Sequence, residues 1–214
     1  MTPSELMSRP FTLPNGSVIP NRFAKSAMSE TLGSIDNHPT KELITLYRAW
    51  ADGGAGLSIT GNVMIDRRHI GEPQNVVVED EADLDLLKSW ARAGRGGGKQ
   101  IWMQLNHPGK QSPKMLNRDP VSPSAIPFKK DLRGMFATPR ALTGPEIDDI
   151  IRRFAQAAAV ASQNHDHPTA SVGAWHPGLS KQATFFLFTL LRHQTTPILR
   201  PEQPFLHFSG IRRA

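Results

Sequence analysis

The 214-residue chain has no cysteine, only one tyrosine and no apolar stretch long enough to cross a bilayer. Without thiols there are no disulfides and no thiolate metal sites, which suits a reducing compartment. A membrane helix needs about 20 apolar residues; the most apolar run, Ala183 to Leu191 (ATFFLFTLL), falls far short. The amino terminus, MTPSELMSRP, offers no basic start followed by an apolar block. No signal peptide is therefore expected, and a cytoplasmic location is the default. Runs of one charge are missing as well. The net charge is +6 and the pI is about 10.0, yet the densest basic runs are mere pairs: Arg67-Arg68, Lys129-Lys130, Arg152-Arg153 and Arg212-Arg213. A nucleic-acid surface concentrates such residues in a stripe or a recognised motif, so neither nucleic acid nor membrane is an expected partner.

What is present divides near Gln163. Before it, strand-like and helix-like segments alternate. Phe11 to Ile19 (FTLPNGSVI) sets Pro14-Asn15-Gly16 between apolar flanks, a hairpin signal. Asn21 to Ser29 suits a buried strand, with strand structure expected near Phe23 to Met28. Gly56 to Ile65 and Lys99 to Leu105 are the next two strands. Between them, Thr40 to Ala51 places Leu43, Leu46, Tyr47 and Trp50 at helical spacing, and Asp80 to Ala93 runs from acidic to basic as a helix dipole favours. Thr143 to Ser162 opens with a threonine cap, a first-turn proline and a glutamate at the capping-box position. Its Ile147, Ile150, Ile151, Phe154, Ala158 and Ala161 form one apolar face. From Asn164 to Ala214 the alternation fails amid scattered prolines and histidines. Only Thr184 to His193 invites a short helix or strand, and the rest reads as an irregular tail.

Strands alternating with amphipathic helices imply βαβ units and a parallel sheet, covered on both faces in a barrel or a doubly wound sheet. No dinucleotide-type glycine fingerprint follows the first strand; the longer loop Glu30 to Pro39 does, which favours the barrel. Only three to four βα units are present against the eight of a closed barrel. In a barrel the chemistry sits at the C-terminal strand ends: here Ser26-Ala27-Met28-Ser29, Thr60-Gly61-Asn62 and Gln104 to Gly109. They carry small and amide-bearing residues rather than paired carboxylates, a nucleophile triad or a metal cluster. Such a rim suits an uncharged heteroaromatic ring with a donor–acceptor edge, a flavin or a pterin. Met28, Met64 and Met103 favour core filling over ligand contact.

Three strings, NRFAKSAMSE (Asn21 to Glu30), ITGNVMIDRRHIGEP (Ile59 to Pro73) and QLNHPGKQS (Gln104 to Ser112), together resemble the NADH:flavin oxidoreductases of the Old Yellow Enzyme family. The hairpin, VSPSAIPF at Val121 to Phe128 and the helix carrying IIRRFAQAAAVA fit in the same order. The resemblance implies a TIM (β/α)8-type barrel holding FMN, with NAD(P)H as reductant, a small-molecule substrate and hydride transfer to an acceptor such as an activated alkene. It implies that Ser26, Ala27, Met28 and Ser29 lie under the flavin, that Gly61 and Asn62 contact the ring, and that Gln104 pairs with its pyrimidine edge. His107 in the same motif is expected to serve loop architecture.

Two parts of the family pattern have no counterpart in this sequence: the fourth-strand histidine pair, or histidine and asparagine, that holds substrate, and the phosphate-binding loop of the last strands. His165, His167 and His176 follow no apolar strand, so no catalytic residue is assigned. Residues 1–163 are therefore expected to form the N-terminal portion of an FMN-binding barrel. Residues 164–214 are expected to form a non-family tail, frame-shifted or disordered, leaving activity impaired by truncation. The alternative is a non-catalytic α/β interaction module whose tail pairs with a sheet edge or a partner.

Overall fold

The computed structural model describes residues 2–163, together with the backbone of the strands Ser171–Trp175 and Phe186–Thr189. In chain order the elements are α1 (Pro3–Met7), β1 (Phe11–Thr12), β2 (Val18–Ile19), β3 (Ala24–Lys25), α2 (Lys41–Asp52), β4 (Leu57–Ile59), β5 (Val63–Met64), α3 (Leu84–Gly94), β6 (Gln100–Asn106), β7 (Val121–Ser122), β8 (Arg140–Ala141), α4 (Gly144–Ser162), β9 (Ser171–Trp175) and β10 (Phe186–Thr189). Strands β3, β4, β6 and β9 lie side by side, all parallel, and β10 adds antiparallel to β9. The parallel strands enter in sequence order with no reversal. That is the progression of a barrel and not the switch point of a doubly wound sheet. The strands therefore form the first part of a TIM-type barrel.

Two interior layers follow from the alternation along β6. Ile101 and Leu105 point to the helix side, into a core with Leu43, Tyr47, Leu87, Trp90 and Val160 of α2, α3 and α4. Trp102 points to the other face, where it packs with Leu57 of β4 and Ile19 of the β1–β2 hairpin. The hairpin thus closes the N-terminal end of the barrel interior.

Local chemistry sets the helix starts. Thr40 Oγ1 accepts from the Leu43 N–H (3.2 Å) and donates to the Leu32 carbonyl (2.6 Å), starting α2. At α4 the Glu146 carboxylate accepts from both the N–H and the hydroxyl of Thr143 (2.8 and 2.9 Å), as its capping position predicts.

Several expectations need correction. Helix α3 begins at Leu84 and not at Asp80; the Asp83 carboxylate is spent on His38 Nδ1 (2.6 Å) and makes no cap. The first strand shortens to Ala24–Lys25 and is not buried. Its one partner is β4, so its other flank is open among the described residues, with Phe23 53% and Met28 49% exposed. On α4 the packing falls on Ala157, Val160 and Ala161, with Ile150, Phe154 and Ala158 beside them. Ile147 and Ile151 stay exposed, because Ile151 is turned ~100° from Ile150 and Ile147 sits in the first turn, ahead of the packed segment. Finally, Ser171–Trp175 forms a strand in a stretch expected to be loop. SVGAW lacks a hydrophobic alternation to announce it, but the unpaired edge of β6 supplies the backbone partners: Met103 to Asn106 pair with Val172 to Trp175. Thr184 to His193 does hold a strand, β10. His165, His167 and His176 lie outside the described residues.

Candidate functional site

The C-terminal ends of β3, β4 and β6 are organised by one irregularity. Leu57, Ser58 and Ile59 pair with Gln100, Ile101 and Trp102, whereas Val63 and Met64 pair with Leu105 and Asn106. Four steps along one strand therefore face three along its neighbour, a bulge of one residue at Thr60-Gly61-Asn62. The bulge inverts the side-chain alternation. Before it, Leu57 and Ile59 face the barrel interior; after it, Val63 and Ile65 face the helices. Asn62 consequently shares the interior face with Gln104, which stands beside it on β6.

Side chains complete the broken ladder. The Thr60 N–H still reaches the Trp102 carbonyl (2.8 Å), and Thr60 Oγ1 accepts from the Gln104 N–H (2.9 Å) in place of a backbone oxygen. The Gly61 N–H turns toward Glu30 Oε1 and the Tyr47 hydroxyl, 3.2 Å from each. Only glycine fits here, because a Cβ on Gly61 would meet the Met28 carbonyl oxygen at 1.9 Å.

Glu30 and Tyr47 belong to a polar knot beneath the bulge. The Tyr47 hydroxyl donates to Glu30 Oε1 (2.6 Å), and Lys25 Nζ donates to Glu30 Oε1, Tyr47 and the Ile59 carbonyl (2.9, 3.0 and 2.8 Å). The Lys25 ammonium also lies over the Trp50 ring, 4.3 Å from its centroid. Burial pushes the Lys25 pKa below its usual value against the pull of Glu30. Burial and the Glu30 charge push the Tyr47 phenol well above its usual value, so it stays a neutral donor. The only tyrosine of the chain thus serves architecture.

Ser29, Asn62 and Gln104 come together on one rim, as expected. Asn62 Nδ2 lies 3.4 Å from Ser29 Oγ, and the half-buried Gln104 amide has no hydrogen-bond partner among the described residues. Ser26 and Met28 are exposed, Ala27 and Ser29 half-buried and Gly61 buried. Of the three methionines, Met64 is fully buried and Met103 packs beside the core, whereas Met28 is outside it. His107 accepts the Gly109 N–H on Nδ1 (3.2 Å), shaping the turn after β6, and its ring lies 4.7 Å from that of His69.

Sequence reasoning placed Thr60 at a strand end without its part in the ladder, and it missed the Lys25–Glu30–Tyr47 knot and Asn75. Nothing in a linear pattern marks them; the spacing of the motifs is the only trace. It also missed that two basic pairs meet. Arg68 and Arg153 converge on the buried Asp66 (2.7 and 3.5 Å), while Arg67 and Arg153 engage Glu79. These arginines brace α4 to the loop after β5. Burial raises the Asp66 carboxyl, but bonds and charge from Arg68 and Arg153 outweigh it and hold the pKa below its ordinary value. A cavity of about 190 Å³ touching Phe11, Arg22, Phe23 and Leu57 lies at the hairpin end, away from this rim. No cluster of three metal-ligating side chains occurs among the described residues, nor is any of their helices long and apolar enough to cross a membrane.

Residues 7–165 match the model of a family described as NADH:flavin oxidoreductase / NADH oxidase. The chain is 40% identical over 152 residues to the NADH-dependent flavin oxidoreductase nadA of Aspergillus parasiticus, covering 65% of this chain and 34% of that protein. It thus spans under half the length of such curated relatives. Among solved structures, the old yellow enzyme from Trypanosoma cruzi superposes with a TM-score of 0.67 at 21% identity, over 78% of this chain and 50% of that one. Morphinone reductase in complex with tetrahydroNAD superposes with a TM-score of 0.65 at 25% identity, over 78% and 48%.

Proposed function

Because the chain belongs to the NADH:flavin oxidoreductase / NADH oxidase family, we propose that its strand-end rim holds the ring of FMN in an oxidoreductase that uses NAD(P)H. The observation that carries this reading is the convergence of Ser29, Asn62 and Gln104 on one face, made possible by the bulge at Gly61. The residues fit the group. Gln104 presents an amide that can donate and accept at once, as the pyrimidine edge of a flavin requires. The small Ser26 and Ala27 leave room for a flat ring to approach the chain, while Gly61 lets the Met28 carbonyl pack close beneath the rim. Asn106 Oδ1, buried two residues beyond Gln104, has no hydrogen-bond partner and adds an acceptor on the same face.

When bound, FMN would supply hydride transfer from NAD(P)H to a small-molecule acceptor such as an activated alkene. The residues of this chain bind and orient the ring. Gln104 would hold the pyrimidine edge of the ring, Ser29 would offer its hydroxyl to the ring and Asn62 would contact it, above the interior that the hairpin fills. Ser26, Ala27 and Met28 line the first strand end and would lie beneath the ring. A cytoplasmic location, in keeping with a chain that lacks cysteine, is part of the same proposal, as is the division at residue 163 between the barrel portion and the remainder.

The test is direct. The purified 214-residue chain is expected to quench FMN fluorescence on titration and to oxidise NADH or NADPH with an enone acceptor once loaded. A colourless preparation that leaves FMN fluorescence unchanged at millimolar protein would overturn the reading.

A further inference from the structure

Asn75 is a residue that no motif singles out. It is 3% exposed, in the loop between β5 and α3. Its side-chain orientation is fixed by a backbone donor: the Glu72 N–H points at Oδ1 at 2.7 Å. Oδ1 must therefore be the acceptor end of the amide, and Nδ2 faces Ser29 Oγ at 3.2 Å as a donor. Asn37 secures the segment further, its Nδ2 donating to the Asn75 carbonyl at 2.9 Å. The second amide on Ser29 is Asn62 Nδ2, at 3.4 Å.

A serine hydroxyl carries one donor and two acceptor positions. With both acceptor positions taken by amide N–H groups, the hydroxyl hydrogen is all that remains, and no protein acceptor is within its reach among the described residues. We propose that Asn75 is a positioning residue that polarises Ser29, fixing its hydroxyl as a hydrogen-bond donor to an acceptor atom of the ring bound on the rim. This rests on the FMN reading above. It adds that the specificity at Ser29 is for a carbonyl-type acceptor and is set from a loop that does not touch the ligand.

The experiment is a double-mutant cycle on the full chain, with FMN affinity by fluorescence quenching, the visible absorption of bound FMN and the thermal midpoint as readouts. Asn75→Asp keeps the Glu72 contact but turns the donor into an acceptor, which draws the Ser29 hydroxyl hydrogen away from the ring. Ser29→Ala is expected to weaken FMN about threefold to tenfold, the range for one hydrogen bond, and Asn75→Asp by a similar factor with a matching spectral shift. Combined with Ser29→Ala, Asn75→Asp should add nothing further, because its effect passes through the hydroxyl. A full effect of Asn75→Asp in the Ser29→Ala background would mark mere charge repulsion and overturn the proposal. So would an Asn75→Asp protein that binds FMN normally while Ser29→Ala does not. If the wild-type chain binds FMN but Ser29→Ala leaves affinity and spectrum unchanged, the Ser29 inference falls and the rim reading survives. If the wild-type chain does not bind FMN, both fall. A lowered thermal midpoint with unaltered spectrum would make Asn75 structural only and also overturn it.

Discussion

The two ends of the barrel interior are built from the same strands and have opposite chemistry. At the N-terminal end, Leu57 and Trp102 meet Ile19 of the hairpin and the space is filled by protein. At the C-terminal end, two to five residues further along β4–β5 and β6, the same face carries Asn62, Gln104 and Asn106. There Asn106 Oδ1 is left without a hydrogen-bond partner among the described residues, as is the half-buried Gln104 amide. The boundary is the bulge at Thr60-Gly61-Asn62. A regular strand would have continued Leu57–Ile59 into Gly61 and Val63 on the interior face; the bulge replaces that apolar series with an amide. The difference teaches that one set of strands carries a filled, apolar end and an open, amide-lined end within about 7–17 Å of each other at ~3.3 Å per residue.

That comparison can be broken in four ways. The largest expected effect is at the filled end: Trp102→Ala removes the main side chain of the plug and should cost roughly 3–5 kcal/mol, a large part of the ~5–15 kcal/mol of an ordinary domain. Urea unfolding measures it, and the remaining folded fraction should still quench FMN. Simultaneous loss of FMN binding in the folded fraction would mean that the two ends are not separable.

Next comes the boundary. Gly61→Ala sets a Cβ against the Met28 carbonyl and should cost about 1–3 kcal/mol as overpacking, while also abolishing FMN quenching because Asn62 and Ser29 are displaced. Retained quenching at wild-type affinity would refute the role of the bulge.

A third prediction concerns acid. Burial holds the His69 pKa below its ordinary 6.5, and Asp66 is held below its ordinary 3.8. In both cases the unfolded chain binds more protons than the folded one as pH falls, so stability is full above pH 6.5 and is lost downward, first through His69 and then through Asp66. Both groups brace the open end, whereas Ile19, Leu57 and Trp102 do not titrate. Hydrogen exchange at pH 5 should therefore rise over Asp66 to Asn75 before it rises at Val18 and Ile19. The reverse order would contradict the assignment.

The smallest effect on the fold is at the rim itself. Gln104→Ala should change stability by less than about 0.5 kcal/mol, as for a side chain with no partner to lose, yet weaken FMN about threefold to tenfold. A drop in midpoint without a change in affinity would place Gln104 in the scaffold.

The chain by itself determined the order of its elements: hairpin, strands, and helices, with the cap at Thr143. Each depends on neighbours three or four residues away, and such interactions are legible in a linear pattern. It also determined which strand ends carry small and amide residues. Only the tertiary structure decided where those residues point. The bulge exists because β6 offers Trp102 and Leu105 as fixed partners three residues apart, and Gly61 is spared a side chain because the Met28 carbonyl occupies its place. Glu30, Tyr47 and Lys25 meet across up to 22 residues, and Asn75 reaches Ser29 across 46. The strand Ser171–Trp175 likewise takes its form from the waiting edge of β6 and not from its own composition. Hydrogen bonds of this kind depend on which backbone comes to lie alongside, a matter settled by packing and invisible to periodicity.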